Sequence, residues 1–486
     1  MGIVIKQSFI NTLILFLGFA IGGVNVLFLF THFLQEDYFG LITFLLSTAI
    51  IILPLLVFGM QHTIIKFYSS YKSRQDQDSF LISTLVLPLL VIIPVGFIGS
   101  ILYESISSWL SVENPMIKSY TYLIFIVAVF MGYFEVFYSW TKVQFKSVFG
   151  SFVKEIFARI CTTFLLFAVY FGWLTNEQFI YAVVIVYGVR MLIMKLYAFY
   201  VYKPKLIFKI PENLKEILSF SSYIIVAGSA SSILLEIDKF MIPQMEQIAQ
   251  VAYYSVGVYI ASVIAIPTRA MQQITSPITA KDMNENRIGE VGDLYKKTSL
   301  NLLIIGGLLF LLINCNIREV YSLIGKPEFS NGIWIVFIIS LAKLVELGLG
   351  TGNAILVNSK YYKIYFYFSI AMALSVIFLN KWFIHLIGIN GAALATLVVV
   401  ALYSLVKVAY INAKMNIMPF NKQTIKIIII ISAVFLIFNF WSFNFHPFLN
   451  IVANSCLIIV VYSIIVKKFK VSEELSDFII NFVRKK

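Results

Sequence analysis

Fourteen times along this chain a stretch of about 20 residues passes with few charges, each long enough to cross a hydrocarbon layer roughly 30 Å thick as a helix. The runs are 9–31, 41–60, 80–102, 119–139, 152–172, 178–200, 217–236, 251–272, 299–315, 332–354, 363–384, 391–412, 424–444 and 448–466. Hydrocarbon offers no hydrogen-bonding partner, so each such run must satisfy its own backbone, which a helix does. Composition agrees. Hydrophobic residues make up 60% of the 486 positions and charged residues 13%, where a soluble domain carries about a quarter charged. A water-soluble fold of this length would lack the charged surface to cover its core, so lipid must do the solvating. The expected fold class is an all-α membrane protein of about 14 transmembrane helices. The first run exceeds a signal-peptide apolar region, has only Lys6 ahead of it and ends in Leu34-Gln35-Glu36-Asp37, so it reads as a retained span.

Charge sets the expected orientation. With the N-terminus in the cytoplasm, the inward segments hold 27 of the 37 Lys and Arg, and the outward loops hold only Lys118, Lys239, Arg318, Lys326 and Lys381. That bias places both termini in the cytoplasm. The net charge of +13 is therefore topology rather than a nucleic-acid surface. Cys161, Cys315 and Cys456 sit in or beside spans, far from any metal-ligand spacing. The four histidines stand singly at span ends. No metal site, cofactor or catalytic constellation is expected.

An internal repeat emerges when the chain is set against itself at an offset of 211 residues. Ser8-Phe9 falls on Ser219-Phe220, Glu135 on Glu346, and Tyr197 to Lys203 on Val408 to Lys414; Pro54 and Pro267 match at 213. Six spans separate the copies, so both insert in the same sense. Two six-helix lobes in parallel follow, 1–203 and 217–414. A linker spans 204–216, helices 13 and 14 occupy 415–466, and a cytoplasmic amphipathic tail fills 467–486. Along that tail Val471, Leu475, Phe478, Ile479, Phe482 and Val483 share a face flanked by basic residues, as in a membrane-surface helix.

Lobes of this kind place a transported solute near the midplane. Ionisable groups inside spans are costly and usually face a cavity or a partner. The cations are Arg159, Arg190, Arg269, Lys343 and Lys407, and the carboxylates Glu135, Glu155, Glu236 and Glu346. Glu155 with Arg159 and Lys343 with Glu346 are spaced to neutralise each other along one helix, and Lys407 and Arg269 lie where snorkelling is open to them. Arg190, Lys343, Arg159 and Arg269 are the candidate substrate-binding cations, suited to an anionic phosphate or pyrophosphate. Glu135 and Glu346 are candidate gating or coupling groups. Gly18 and Gly22 form a GxxxG, and Gly348-Leu349-Gly350-Thr351-Gly352-Asn353 interrupts the tenth span; such small residues signal close packing or a hinge.

Four local stretches carry a family resemblance: Ser8-Phe9-Ile10-Asn11-Thr12, Asp37-Tyr38-Phe39-Gly40-Leu41, Ala252-Tyr253-Tyr254-Ser255-Val256 and Gly388-Ile389-Asn390-Gly391-Ala392-Ala393. With fourteen spans and two lobes, the chain resembles the Wzx-type polysaccharide flippases of the multidrug/oligosaccharidyl-lipid/polysaccharide (MOP) exporter superfamily, whose fold is MATE-like. The resemblance implies a flippase for undecaprenyl-pyrophosphate-linked oligosaccharides in a bacterial inner membrane, O-antigen repeat units among them. It implies alternating access coupled to H+ or Na+, a monomer, contact with membrane lipids and partnership with polysaccharide polymerase machinery. Three alternatives stay open: a lipid II flippase, a multidrug exporter of the same superfamily, and a polysaccharide polymerase. The short outward loops disfavour the last, an enzyme.

Overall fold

The computed structural model describes residues 2–207, 211, 213–441, 443 and 445–471, without the side chains of 2–6, 8, 9, 269, 270 and 273. Among the described residues every regular element is a helix. Thirteen helices are long and apolar enough to cross a membrane. The remaining predicted span, 152–172, is helical from Ser147 to Tyr170 but contains a π turn, Val153–Phe157. Lys154, Glu155 and Arg159 lie on that stretch, and their charge sets it apart from the other thirteen. Large apolar side chains such as Leu90, Phe97, Phe164, Leu196 and Phe378 are about two-thirds exposed, which only a hydrocarbon solvent tolerates on this scale. The chain is a multi-pass membrane protein. The predicted tail helix lies outside the described residues beyond Val471.

Two compact units form, Met1–Ser255 and Val256–Lys486. In the first, the second span runs Glu36–Leu56 and breaks at Phe58 and Gly59, both at positive φ, before helix Met60–Phe67 resumes. The Thr63 and Ser221 hydroxyls meet at 2.9 Å, tying that short helix to helix Leu214–Met241. The long helix also lies along the second span, with Phe240 stacked on Phe44 and Gly228 opposite Pro54. Around Phe80, Phe134, Trp140 and Met194 the unit builds a fully buried core.

The resemblance motifs of this unit are packing devices at helix ends. Asn11 donates to the Ser147 hydroxyl at 3.1 Å, while Gln7 donates to the Phe145 carbonyl. A Cβ at Gly40 would land on the Ile248 carbonyl, so only glycine permits that approach. Tyr253 donates to Glu36 and Tyr254 to Asp238. Asn114 clamps the same turn, donating to the Pro243 and Glu246 carbonyls at 2.7 and 2.8 Å and accepting from the Ile248 N–H at 2.8 Å.

In the second unit the last two spans, Lys422–Asn439 and Pro447–Lys468, pack on helix Ile288–Asn314. Gly307 faces Ile431 and the Tyr462 hydroxyl, and that hydroxyl donates to the Ile304 carbonyl at 2.8 Å. Asn454 joins the Cys315 carbonyl to the Asn316 side chain. Helix Ile333–Gly348 stops at the glycine run rather than continuing to 354. Gly350 adopts φ +52, and helix Gly352–Asn358 restarts after it. Ser299 donates to the freed Gly348 carbonyl at 2.6 Å, which satisfies the break inside the membrane.

Candidate functional site: a buried arginine in a charged helix cluster

In the first unit three spans, the fourth to the sixth, gather charge. The π turn at Asn25–Leu29 in the first span lies against the fifth, where the Asn25 amide donates to the Arg159 carbonyl at 2.9 Å and accepts from Thr163 at 2.7 Å. Gly18 makes the crossing close. A Cβ there would sit 2.6 Å from the Glu155 carbonyl oxygen and 2.7 Å from the Arg159 guanidinium. The GxxxG therefore serves packing at Gly18. Each π turn shifts the helix register by a residue, a distortion often found at functional sites. In the fifth span Lys154 and Glu155 both lie on it, each partly exposed.

Glu135, on the fourth span, is held by Lys154 at 2.6 Å. Arg159 pairs with Glu155 at 2.9 Å and also donates to the Glu155 carbonyl, the local neutralisation its spacing allows. Lys142 lies 3.9 Å from the Tyr138 ring centroid. Arg190, on the sixth span Asn176–Val201, differs from all of these. It is 8% exposed, its Nε has no hydrogen-bond partner, and its guanidinium stacks 4.0 Å from the Phe134 ring and 5.4 Å from that of Tyr187. Among the described residues no acceptor receives a hydrogen bond from it. Glu135 and Glu155 act on it only through space.

Four cations thus face two carboxylates, a surplus of two positive charges, with Lys142 and Arg190 the two that hold no ion pair among the described residues and Arg190 the more deeply buried. A guanidinium carries five donors in a planar fork. Left unmet away from water they cost several kcal/mol per ion, of which ring faces return about 1–2 kcal/mol each. An anion with paired oxygens would meet the fork in bidentate fashion. The Glu135–Lys154 pair keeps its own carboxylate from serving that purpose. Lys154→Met is expected to destabilise the protein by about 1–3 kcal/mol by stranding Glu135. Adding Glu135→Gln should restore most of it in a thermal-unfolding cycle; purely additive losses would show that the two groups are uncoupled.

The second unit holds a smaller set. Lys343 pairs with Glu346 at 3.1 Å, three residues along the helix. Lys407 is turned inward rather than snorkelling: it is 7% exposed, donates to Asn353 Oδ1 at 3.1 Å and lies 5.3 Å from the Tyr365 ring centroid, with Glu346 acting on it electrostatically. Arg269 is on helix Ile266–Asn284, and its side chain lies outside the described residues. Both units therefore set a carboxylate of one span (Glu135, Glu346) within electrostatic reach of a buried cation two spans on (Arg190, Lys407). Sequence reasoning passed over Lys154 and Asn353. Lys154 counted as a loop charge, and Asn353 closed a run read for its glycines.

No curated protein sequence matches the chain. Among solved structures, the lipid II flippase MurJ in an inward closed conformation superposes with a TM-score of 0.70 at 14% identity, covering 94% of this chain and 99% of that one. An inward-facing multidrug-resistance MATE transporter of the MOP superfamily gives 0.62 at 12% identity, covering 88% and 98%. The MATE multidrug transporter DinF-BH gives 0.59 at 12%, covering 86% and 97%. These likenesses establish the fold, a MurJ/MATE-like arrangement of membrane-spanning helices. Residues 4–273, more than half the chain and the part that holds the Arg190 cluster, match the family of polysaccharide biosynthesis proteins, and the chain belongs to that family.

Proposed function

We propose that this protein is a flippase that carries pyrophosphate-linked oligosaccharides on a polyprenyl lipid from the cytoplasmic to the outer leaflet of a bacterial inner membrane. The observation that carries this reading is Arg190: a buried, hydrogen-bond-free guanidinium in a cluster with surplus positive charge, inside a membrane-spanning helix. An anionic headgroup supplies the acceptor that the protein withholds. Membership in a polysaccharide biosynthesis family supports a lipid-linked sugar as cargo. The MOP fold supports alternating access, with both termini cytoplasmic by the Lys/Arg bias and H+ or Na+ as the coupling ion. Residues 1–203 and 217–414 act as the two moving lobes in this scheme. The chain forms no new glycosidic bonds.

A lipid II flippase is the second reading, supported by the MurJ likeness. The test reconstitutes the purified protein in vesicles with two cargoes, a pyrophosphate-linked oligosaccharide repeat unit and lipid II, and assays polymerisation alongside. The proposal expects the repeat unit to change leaflet with no chain growth. Movement of lipid II alone transfers the protein to the second reading, and chain growth without movement refutes both.

A further inference from the structure

The first unit contains a cavity of about 620 Å³ remote from the charged cluster, between the second, third and fourth spans and the short helix Tyr103–Leu110. Its size falls within the roughly 300–1,000 Å³ usual for ligand pockets. Its wall is chemically one-sided. Thr48, Tyr103 and Thr121 line it, but their hydroxyls are spent on backbone carbonyls: Phe44 at 2.7 Å, Lys118 at 2.9 Å and Ile117 at 3.0 Å. Ser100 and Tyr122 add two further hydroxyls, and the rest of the lining is aliphatic and aromatic carbon, with Gly96 and Gly99 forming a notch in the third span. A polar solute would find few donors on so largely apolar a wall, and an apolar cavity takes apolar ligands.

Depth identifies the kind of ligand. The Lys118–Glu104 ion pair, 3.0 Å apart and largely exposed, marks the polar end of the cavity, with Tyr103 beside it. From the level of Lys118 the fourth span descends to the lining residue Ile126, and from Tyr103 the third span descends to Val95. Each is eight residues, about 12 Å of helix rise, close to the roughly 15 Å of a single leaflet. The neighbouring Ile98, Ile101, Leu102 and Ile106 are exposed, so the cavity lies beside the lipid-facing surface. We propose that it is a site for one hydrocarbon chain of a lipid, acyl or isoprenoid, with its headgroup at the level of Lys118 and Glu104.

Gly99 gives the test. A Cβ built there meets nothing within 4 Å, so a larger side chain enters the cavity without displacing the fold. The full chain is reconstituted with either a photoreactive polyprenyl phosphate or a photoreactive phosphatidylglycerol, each with its reactive group in the chain, and labelled peptides are mapped. Labelling is expected to concentrate on residues 95–126. It should fall at least fivefold in Gly99→Phe and little in Gly99→Ala, with thermal unfolding of both variants like that of the parent. Whichever probe labels identifies the chain as cargo tail or bulk lipid. Labelling spread evenly over the lipid-facing helices, or undiminished in a folded Gly99→Phe, overturns the proposal. Neither result depends on transport, so the flippase reading stands or falls separately.

Discussion

Replacing Arg190 with alanine is expected to lower transport of the lipid-linked oligosaccharide by between about tenfold and a hundredfold, the value of a charge-assisted hydrogen-bond set of roughly 1.5–3 kcal/mol. The protein should remain as abundant and as stable as the parent, or more stable. The usual cost of deleting a buried Arg is a stranded carboxylate, and here there is none. Glu135 keeps Lys154 and Glu155 keeps Arg159, while Arg190 meets only the Phe134 and Tyr187 rings. Arg190→Lys should recover part of the flux, since an ammonium keeps the charge but loses the planar fork. A structural arginine would give the opposite pattern, a fall in thermal stability with transport per folded molecule unchanged. Initial rates in vesicles together with unfolding midpoints separate the two.

The second large effect is on folding. At Gly388-Ile389-Asn390-Gly391 the eleventh span, Tyr362–Ile387, turns directly into the twelfth, Ile389–Met415. Gly388 holds φ 60 and ψ −143, close to a region open in practice only to glycine. A Cβ at Gly391 would land on the Phe383 carbonyl and lie 2.7 Å from the Ile384 nitrogen. Those are backbone atoms and cannot swing aside. Gly391→Ala is expected to cost about 3 kcal/mol as overpacking at a fixed crossing, and Gly388→Ala about 1–3 kcal/mol as backbone strain. Both should lower the yield of folded protein and its unfolding midpoint. A Gly391→Ala variant that unfolds with the parent would mean that this turn is not built as described.

These two predictions draw on features of unequal legibility. The spans were readable because bilayer thickness fixes the length of an apolar run and cluster charges fall between runs; thirteen of the predicted helices meet both conditions. The fifth span could be found as apolar sequence, but its π turn could not, because a one-residue register shift depends on what Asn25 and Gly18 offer from the first span. The interruptions at Phe58-Gly59 and Gly350 were half visible: glycine marks the positions, and only the Ser299 bond at the second explains why a break is tolerated there. Among the charges, spacing along one helix revealed Glu155–Arg159 and Lys343–Glu346. It said nothing of Glu135–Lys154 or Lys407–Asn353, which join different helices. Depth within a run left snorkelling open to Lys407, whereas rotation about the helix axis turns it inward, and rotation is set by packing.

The central claim is that the protein moves an anionic lipid-linked sugar between leaflets. Its most direct measurement is the one-way appearance of that sugar at the far face of sealed vesicles, read with a membrane-impermeant lectin or glycosidase. Vesicles holding the protein and a pyrophosphate-linked oligosaccharide should expose the sugar many times faster than empty vesicles, and a neutral lipid carrying the same sugar should stay behind. Exposure no faster than in empty vesicles, or equal for the charged and neutral lipids, would contradict the account.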